Sequence, residues 1–183
     1  RFPRFLHCIG STPHRGSYVP QRTRQWQCRE RCFSTTVTYA VTSVALADIM
    51  QLRVAVLRKG TPATDCNYPE DAYPDVVHFA IFHEGIAIAT SSWFMKECPE
   101  KPGITAMQLK GMAVADEIQG AGLGALLIDT GLALANERGA AIAWARARDS
   151  AMGFYERLGF VSTGDGFVDG PTAMPHHIVV RTL

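Results

Sequence analysis

Three glycines at alternate positions, Gly120, Gly122 and Gly124, constrain this chain more than any other feature. They stand in Gln119-Gly120-Ala121-Gly122-Leu123-Gly124, after a long strand candidate (104–115) and at the start of a helix candidate (120–138). Alternate glycines leave little side chain to shield the backbone. The N–H groups of residues 119–124 can therefore close on a phosphate, and the positive end of the helix dipole adds attraction. A turn of this kind can also serve only to pack a helix start against a sheet. Residues 120–125 fit the dinucleotide form G-x-G-x-x-A as well. That fold needs a run of βαβ units downstream, and the pattern after Arg138 offers at most two short helices. The P-loop form is missing, because no Lys-Ser or Lys-Thr follows the glycines.

Around this turn the chain reads as an orderly α/β domain from about residue 37. Val37, Tyr39 and Val41 alternate with polar or small residues as a half-buried strand. Ser43 is placed to cap a helix running from Leu46 to about Arg58, stopped by Gly60 and Pro62. Residues 60–74 read as a loop. Strands over 76–82 and 86–94 flank the tight turn His83-Glu84-Gly85 and form a hairpin. After the central helix, with Leu123, Leu126, Leu127 and Leu134 on one face, come a short buried strand (140–145), a helix (150–158) and strands over 160–168 and 177–181. The predicted order is β-α-β-β-β-α-β-α-β-β.

Hydrophobic residues make up 47% and charged residues 19%, which places the chain among globular proteins. No apolar run approaches the roughly 18 residues of a membrane span, which excludes an integral helical membrane protein and any membrane partner. The charge of +1 hides an asymmetry: residues 1–43 carry +6 and the rest −5. An acidic body is a poor nucleic-acid surface, so no nucleic-acid partner is expected. Five irregularly spaced cysteines argue against a disulfide framework and for a reducing, cytoplasmic setting. Residues 1–36 are Arg-rich with no sustained period, and read as a poorly packed basic extension or a transit-type segment. Cys28 and Cys32 with His7 and His14 match no closed zinc pattern, nor does the His176-His177 pair, so no metal is expected.

Two blocks carry a family resemblance. Gln119-x-x-Gly122-x-Gly124 resembles the acyl-CoA signature Q/R-x-x-G-x-G/A of the GNAT superfamily of N-acetyltransferases. Phe154-Tyr155-Glu156-Arg157-Leu158-Gly159-Phe160 resembles its Y-x-x-x-G-F segment. The resemblance spans roughly residues 37–183. It implies a mixed, mostly antiparallel central sheet flanked by helices, with a splayed strand pair forming an acetyl-CoA cleft. It also implies acetyl-CoA as co-substrate and direct attack by the primary amine of a small molecule or peptide. Pantetheine would pair with backbone groups of Met112, Ala113 and Val114, with the thioester carbonyl near Val114. Pyrophosphate would sit on Gln119, Gly120, Ala121, Gly122, Leu123 and Gly124, with Ser150 and Phe154 completing the cofactor contacts. Tyr155 would act as general acid toward the leaving thiolate. From position alone it is equally a core aromatic beside Met152 and Leu158.

Candidates for the base that accepts the amine proton are Glu84, His78, His83, Asp116, Glu117 and His177, or water, with Glu84 the weakly preferred residue. The chain departs from the family in two places. Ala121 stands where many relatives have Lys or Arg, and Arg146, Arg148 and Asp149 stand where many have Asn. Arg157 could then help with phosphate charge, and Ser150 could cap the last helix. The acceptor pocket would draw on the loop 61–75, the hairpin and residues 164–177. Asp65, Asp71, Asp165 and Asp169 would attract a cationic amine. A catalytically silent acyl-CoA-binding module is the alternative function. The oligomeric state is left open between monomer and homodimer.

Overall fold

The computed structural model describes residues 24–26, 37–170 and 172–183. Expectations for the remainder of the N-terminal segment, including Cys28, Cys32, His7 and His14, lie outside the described residues.

A short antiparallel ribbon pairs β1 (Arg24–Trp26) with β2 (Val37–Tyr39). The expected strand at 37–41 is thus divided. The chain leaves the ribbon at Ala40 and Val41, and β3 (Thr42–Val44) joins the main sheet beside β4. Ser43 therefore lies in a strand and caps nothing. Helix α1 (Leu46–Leu57) starts at Ala45, whose N–H donates to the Asp48 carboxylate at 3.1 Å. The remaining elements are β4 (Val77–His83), β5 (Ile86–Met95), β6 (Ala106–Val114), α2 (Leu123–Glu137), β7 (Ile142–Arg148), α3 (Met152–Arg157), β8 (Val161–Asp169) and β9 (Met174–Thr182). The β4–β5 hairpin turns on Glu84 (φ +50°) and Gly85 (φ +79°), the doubly left-handed pair that suits strand twist.

The main sheet has seven strands in the order β3-β4-β5-β6-β7-β9-β8. Only β6 and β7 run parallel, as expected when a helix, here α2, joins them. Strand alternation assigns the faces. Met107 and Leu109 of β6, Trp93 of β5, and Ala143 and Ala145 of β7 pack with Leu123, Leu126 and Leu127 of α2. Ser92 and Lys110 face the other way. There Arg53 of α1 donates to the Ser92 hydroxyl. The two long helices therefore cover opposite faces.

The α1 face carries a polar network that fixes the loop between α1 and β4. Arg53 is fully buried and pairs with Asp71 at 2.9 Å. Glu70, in the 3₁₀ turn Pro69–Ala72, accepts from Lys96 at 2.6 Å and Lys110 at 2.7 Å. Burial works against ionisation of Glu70, but the hydrogen bonds from Lys110 and Lys96 outweigh it and hold the carboxyl down at about 2, against an ordinary 4.5. A carboxyl depressed on folding contributes stability above its unfolded value, and that contribution is lost as pH falls from 4.5 through about 2. We expect Glu70→Gln to cost about 1–3 kcal/mol at pH 7 and clearly less near pH 3. Urea melts of both proteins at the two pH values check this, and an equal cost at both would assign the effect to packing alone.

Candidate active site

Between β5 and β6 the register slips. Thr90 pairs with Ala113 and Ser92 with Lys110, so β6 fits one residue more than β5 into this interval. The extra residue is a bulge at Gly111, whose φ of +62° only glycine adopts at ease. Space gives a second reason for glycine: a Cβ there would lie 2.9 Å from Arg53 Nε and 3.1 Å from the Tyr68 ring. The bulge also reverses the alternation. Met112 now faces α2, against Gly124 and Phe154.

On its other side β6 pairs with β7 only from Ala106 to Leu109, while β7 continues along β9 to Arg148. Beyond Leu109 the two parallel strands part. This is the splayed pair expected from the resemblance, with Met112, Ala113 and Val114 on its β6 arm. The Val114 carbonyl is already engaged, because Gln119 Nε2 donates to it at 3.2 Å and to Asp116 Oδ1 at 3.1 Å. The Gln119 side chain thus folds back to shape the turn.

The glycine turn differs from its expected form in one respect. Helix α2 begins at Leu123, not Gly120, and the N-cap is Gly122 at φ +81°. Residues 116–118 form a 3₁₀ turn, and Gly120 at φ +85° has open space where a Cβ would stand. The first intrahelical bond runs from Leu126 N–H to the Gly122 carbonyl. A glycine cap has no side chain to satisfy the first-turn N–H groups, so those of Leu123, Gly124 and Ala125 are left for an outside acceptor. These features fit a phosphate group.

The side of the cleft facing α2 is closed by three residues from three elements. A Cβ on Gly124 would lie 3.0 Å from Met112 Cε and 3.1 Å from the Phe154 ring. Met112, Gly124 and Phe154 thus meet, which sequence spacing alone does not reveal. Tyr155 follows on α3, buried, with edge-on ring contacts to Phe154 and Phe160 at 5.3 and 5.4 Å. Burial alone pushes its phenol far above the ordinary range, so it stays protonated at every physiological pH. Its hydroxyl makes no hydrogen bond among the described residues.

Other sequence candidates lie elsewhere. Ser150 is exposed in the 3₁₀ turn Asp149–Ala151, and α3 is capped by Ala151 with no side-chain bond, so Ser150 does not cap it. Glu84 stands at the exposed hairpin tip. His78 is buried, its Nδ1 2.7 Å from the Ser92 hydroxyl, and burial together with Arg53 lowers its pKa. Asp116 pairs with Lys59 at 2.6 Å. His177 Nδ1 lies 2.9 Å from Asp149 Oδ1. His176 and His177 are neighbours in β9 and so point to opposite faces. The acidic residues expected to attract an amine are largely engaged: Asp71 by Arg53, Asp169 by Arg146 and Thr172, and Asp65 by Asn67.

A sheet whose parallel strands splay beside a glycine-capped helix, with a buried tyrosine on the next helix, defines an acyltransferase of the GNAT type. Comparison with known proteins agrees. The family profile described as "Acetyltransferase (GNAT) domain" matches residues 75–162. The N-acetyltransferase YitI of Bacillus subtilis (strain 168) is 27% identical over 143 residues, covering 78% of this chain and 95% of that protein. Two solved structures share the fold. FeeM, an N-acyl amino acid synthase from uncultured soil microbes, has a TM-score of 0.64 at 14% identity, covering 78% of this chain and 94% of its own. An acyl-CoA N-acyltransferase from Pseudomonas aeruginosa has a TM-score of 0.59 at 20% identity, covering 79% and 98%. These matches support a GNAT superfamily N-acetyltransferase, and with it an acyltransferase, the family profile resting on residues 75–162.

Proposed function

We propose that the protein transfers an acetyl group from acetyl-CoA to a primary amine of a small molecule or peptide by direct attack. The observation that carries this is the parting of β6 from β7 beyond Leu109, next to the open amides of α2 and the Tyr155 side chain. The pyrophosphate would rest on the first-turn N–H groups, and the pantetheine would lie along Met112–Val114 in place of a strand. The amine nitrogen attacks the thioester carbon. The C–N bond forms, the C–S bond breaks, and the sulfur leaves as a thiolate that accepts a hydrogen bond from the Tyr155 hydroxyl and takes its proton from water. The amine's own proton passes to water. No contact among the described residues joins Glu84 to the bulge, so we expect Glu84→Gln to retain turnover within about twofold. The deciding experiment is a panel of amines with acetyl-CoA, read as free thiol. No thiol above the amine-free rate across the panel would overturn the proposal.

Acetyl-CoA at 100 times its dissociation constant should stabilise the fold by about 2.7 kcal/mol, which for a chain of this size raises Tm by roughly 5–10 °C. Ala121, exposed within the turn, offers a clean charge test. Ala121→Lys should tighten acetyl-CoA binding and Ala121→Glu should weaken it about tenfold, with free-protein Tm unchanged. Titration calorimetry reads both. Gly122→Val is a poorer probe, because a branched residue at φ +81° is strained whether or not a phosphate binds.

A further inference from the structure

The α2 face of the cleft is closed by Met112, Gly124 and Phe154, so an acceptor must approach the bulge from the α1 face. That face is cationic at the mouth. Arg148 continues the β7 row of Trp144 and Arg146, and its Nη2 reaches across to donate to the Leu57 carbonyl at the end of α1, at 2.6 Å. The next residue, Arg58, donates to the Asp65 carbonyl and has its guanidinium carbon 5.9 Å from the Tyr68 ring centre. Lys110, on the β6 arm beside the bulge, has its ammonium 4.5 Å from the same ring.

The counter-charge here is incomplete. Lys110 shares the single Glu70 carboxylate with Lys96. Among the described residues neither Arg58 nor Arg148 forms an ion pair with a carboxylate. Arg53 Nε is buried with no hydrogen-bond partner, against the bulge itself. Arg148 as a staple from β7 to the end of α1, and Arg58 as a staple to the loop that follows, would account for one backbone bond each. They would not account for two guanidiniums at the end of α1, neither paired with a carboxylate among the described residues. Unneutralised charge in a partly buried mouth is costly unless a ligand supplies the opposite sign.

We infer that the acceptor amine carries a carboxylate close to its nucleophilic nitrogen, as a free amino acid does, and that Arg58 and Arg148 hold it. This rests on the acetyl-transfer reading above and specifies its substrate class. It replaces the expectation of an acid-lined pocket for a purely cationic amine. A carboxylate accepts two N–H groups of a guanidinium fork at once, which fixes the neighbouring nitrogen toward the thioester.

The test uses matched acceptors: free amino acids, each beside its own C-terminal amide, with acetyl-CoA and thiol release as readout. Free acids should be preferred at least about tenfold in kcat/KM. Arg58→Gln and Arg148→Gln should each remove most of that preference through KM, with the acetyl-CoA-induced rise in Tm retained. Equal use of amides, or an unchanged preference in both variants, would overturn the inference while leaving acetyl transfer intact. A second arm works without turnover. N-acetyl amino acids should stabilise the CoA-saturated protein and their amides should not. Absence of thiol with every acceptor would count against the transfer reading, and this arm alone then decides the carboxylate site: equal or no stabilisation overturns it.

Discussion

Tyr155→Phe is expected to lower turnover about 10²- to 10⁴-fold with little change in acetyl-CoA affinity. The substitution removes one hydroxyl and keeps the ring. The edge-on contacts with Phe154 and Phe160 therefore survive, as does the packing of α3 on the core. What is lost is the donor that would meet the departing sulfur. The phenol is kept far less acidic than an ordinary tyrosine by burial. It is consequently always protonated, but full transfer to a thiolate of intrinsic pKa near 8.5 runs uphill. Its contribution is then a hydrogen bond that strengthens as charge develops on sulfur, and it appears only in the transition state. The decline should fall on kcat, and the pH profile near neutrality should keep its shape. Stopped-flow thiol detection on the folded variant measures it. A loss below about threefold would show that water or another group stabilises the departing thiolate.

Gly131→Ala is expected to destabilise the protein by about 3 kcal/mol or more, lowering Tm by roughly 6–12 °C. The sign is informative, because in an exposed helix the same change stabilises by up to about 1 kcal/mol. Here α2 lies directly against an indole of the sheet. A Cβ on Gly131 would lie 1.9 Å from Cε2 and 2.1 Å from Cζ2 of Trp93. Trp93 is fully buried and its Nε1 donates to the Ser91 hydroxyl at 3.0 Å, so the ring has nowhere to retreat. The helix must move off the sheet, and it carries the glycine turn with it. Acetyl-CoA affinity should therefore fall together with stability. Trp93→Leu combined with Gly131→Ala should be less damaging than the two costs added, since the smaller side chain vacates the space. Thermal melts of the four proteins in this cycle measure the coupling. A Tm for Gly131→Ala within about 2 °C of the parent would show that the contact is soft.

Much of this molecule is legible as pattern. The alternation over 86–94, the turn at Glu84-Gly85 and the leucine stripe of α2 are local signals, and the elements they predict are present. The glycine turn likewise announces a helix start, and together with the Tyr155 segment a family resemblance. Local signals fail where a partner strand decides. The alternation of residues 37–41 looks continuous, but β1 pairs with Val37–Tyr39 and β4 with Thr42–Val44, so the strand breaks at Ala40 and Val41. Ser43 has the chemistry of a cap, and sheet pairing claims it. The last strand reads as starting at His177, but pairing with Arg148 on one side and with Phe167–Asp169 on the other carries β9 back to Met174.

By itself the sequence determined the order of elements from α1 onward, the glycine turn at the start of α2 and the class of chemistry, because each is written in residues near one another along the chain. Only the tertiary structure decided which side of the cleft is closed and which charges stand at its mouth. The Gly111 bulge reverses one strand's alternation through hydrogen bonding to β5, a long-range pairing with no local code. Arg148 is far from α1 in sequence, and its bond to the Leu57 carbonyl brings it to the end of α1, one residue from Arg58. Asp71 and Asp169, which look available in the sequence, are engaged by Arg53 and Arg146 from other elements. Composition contains no trace of those pairings.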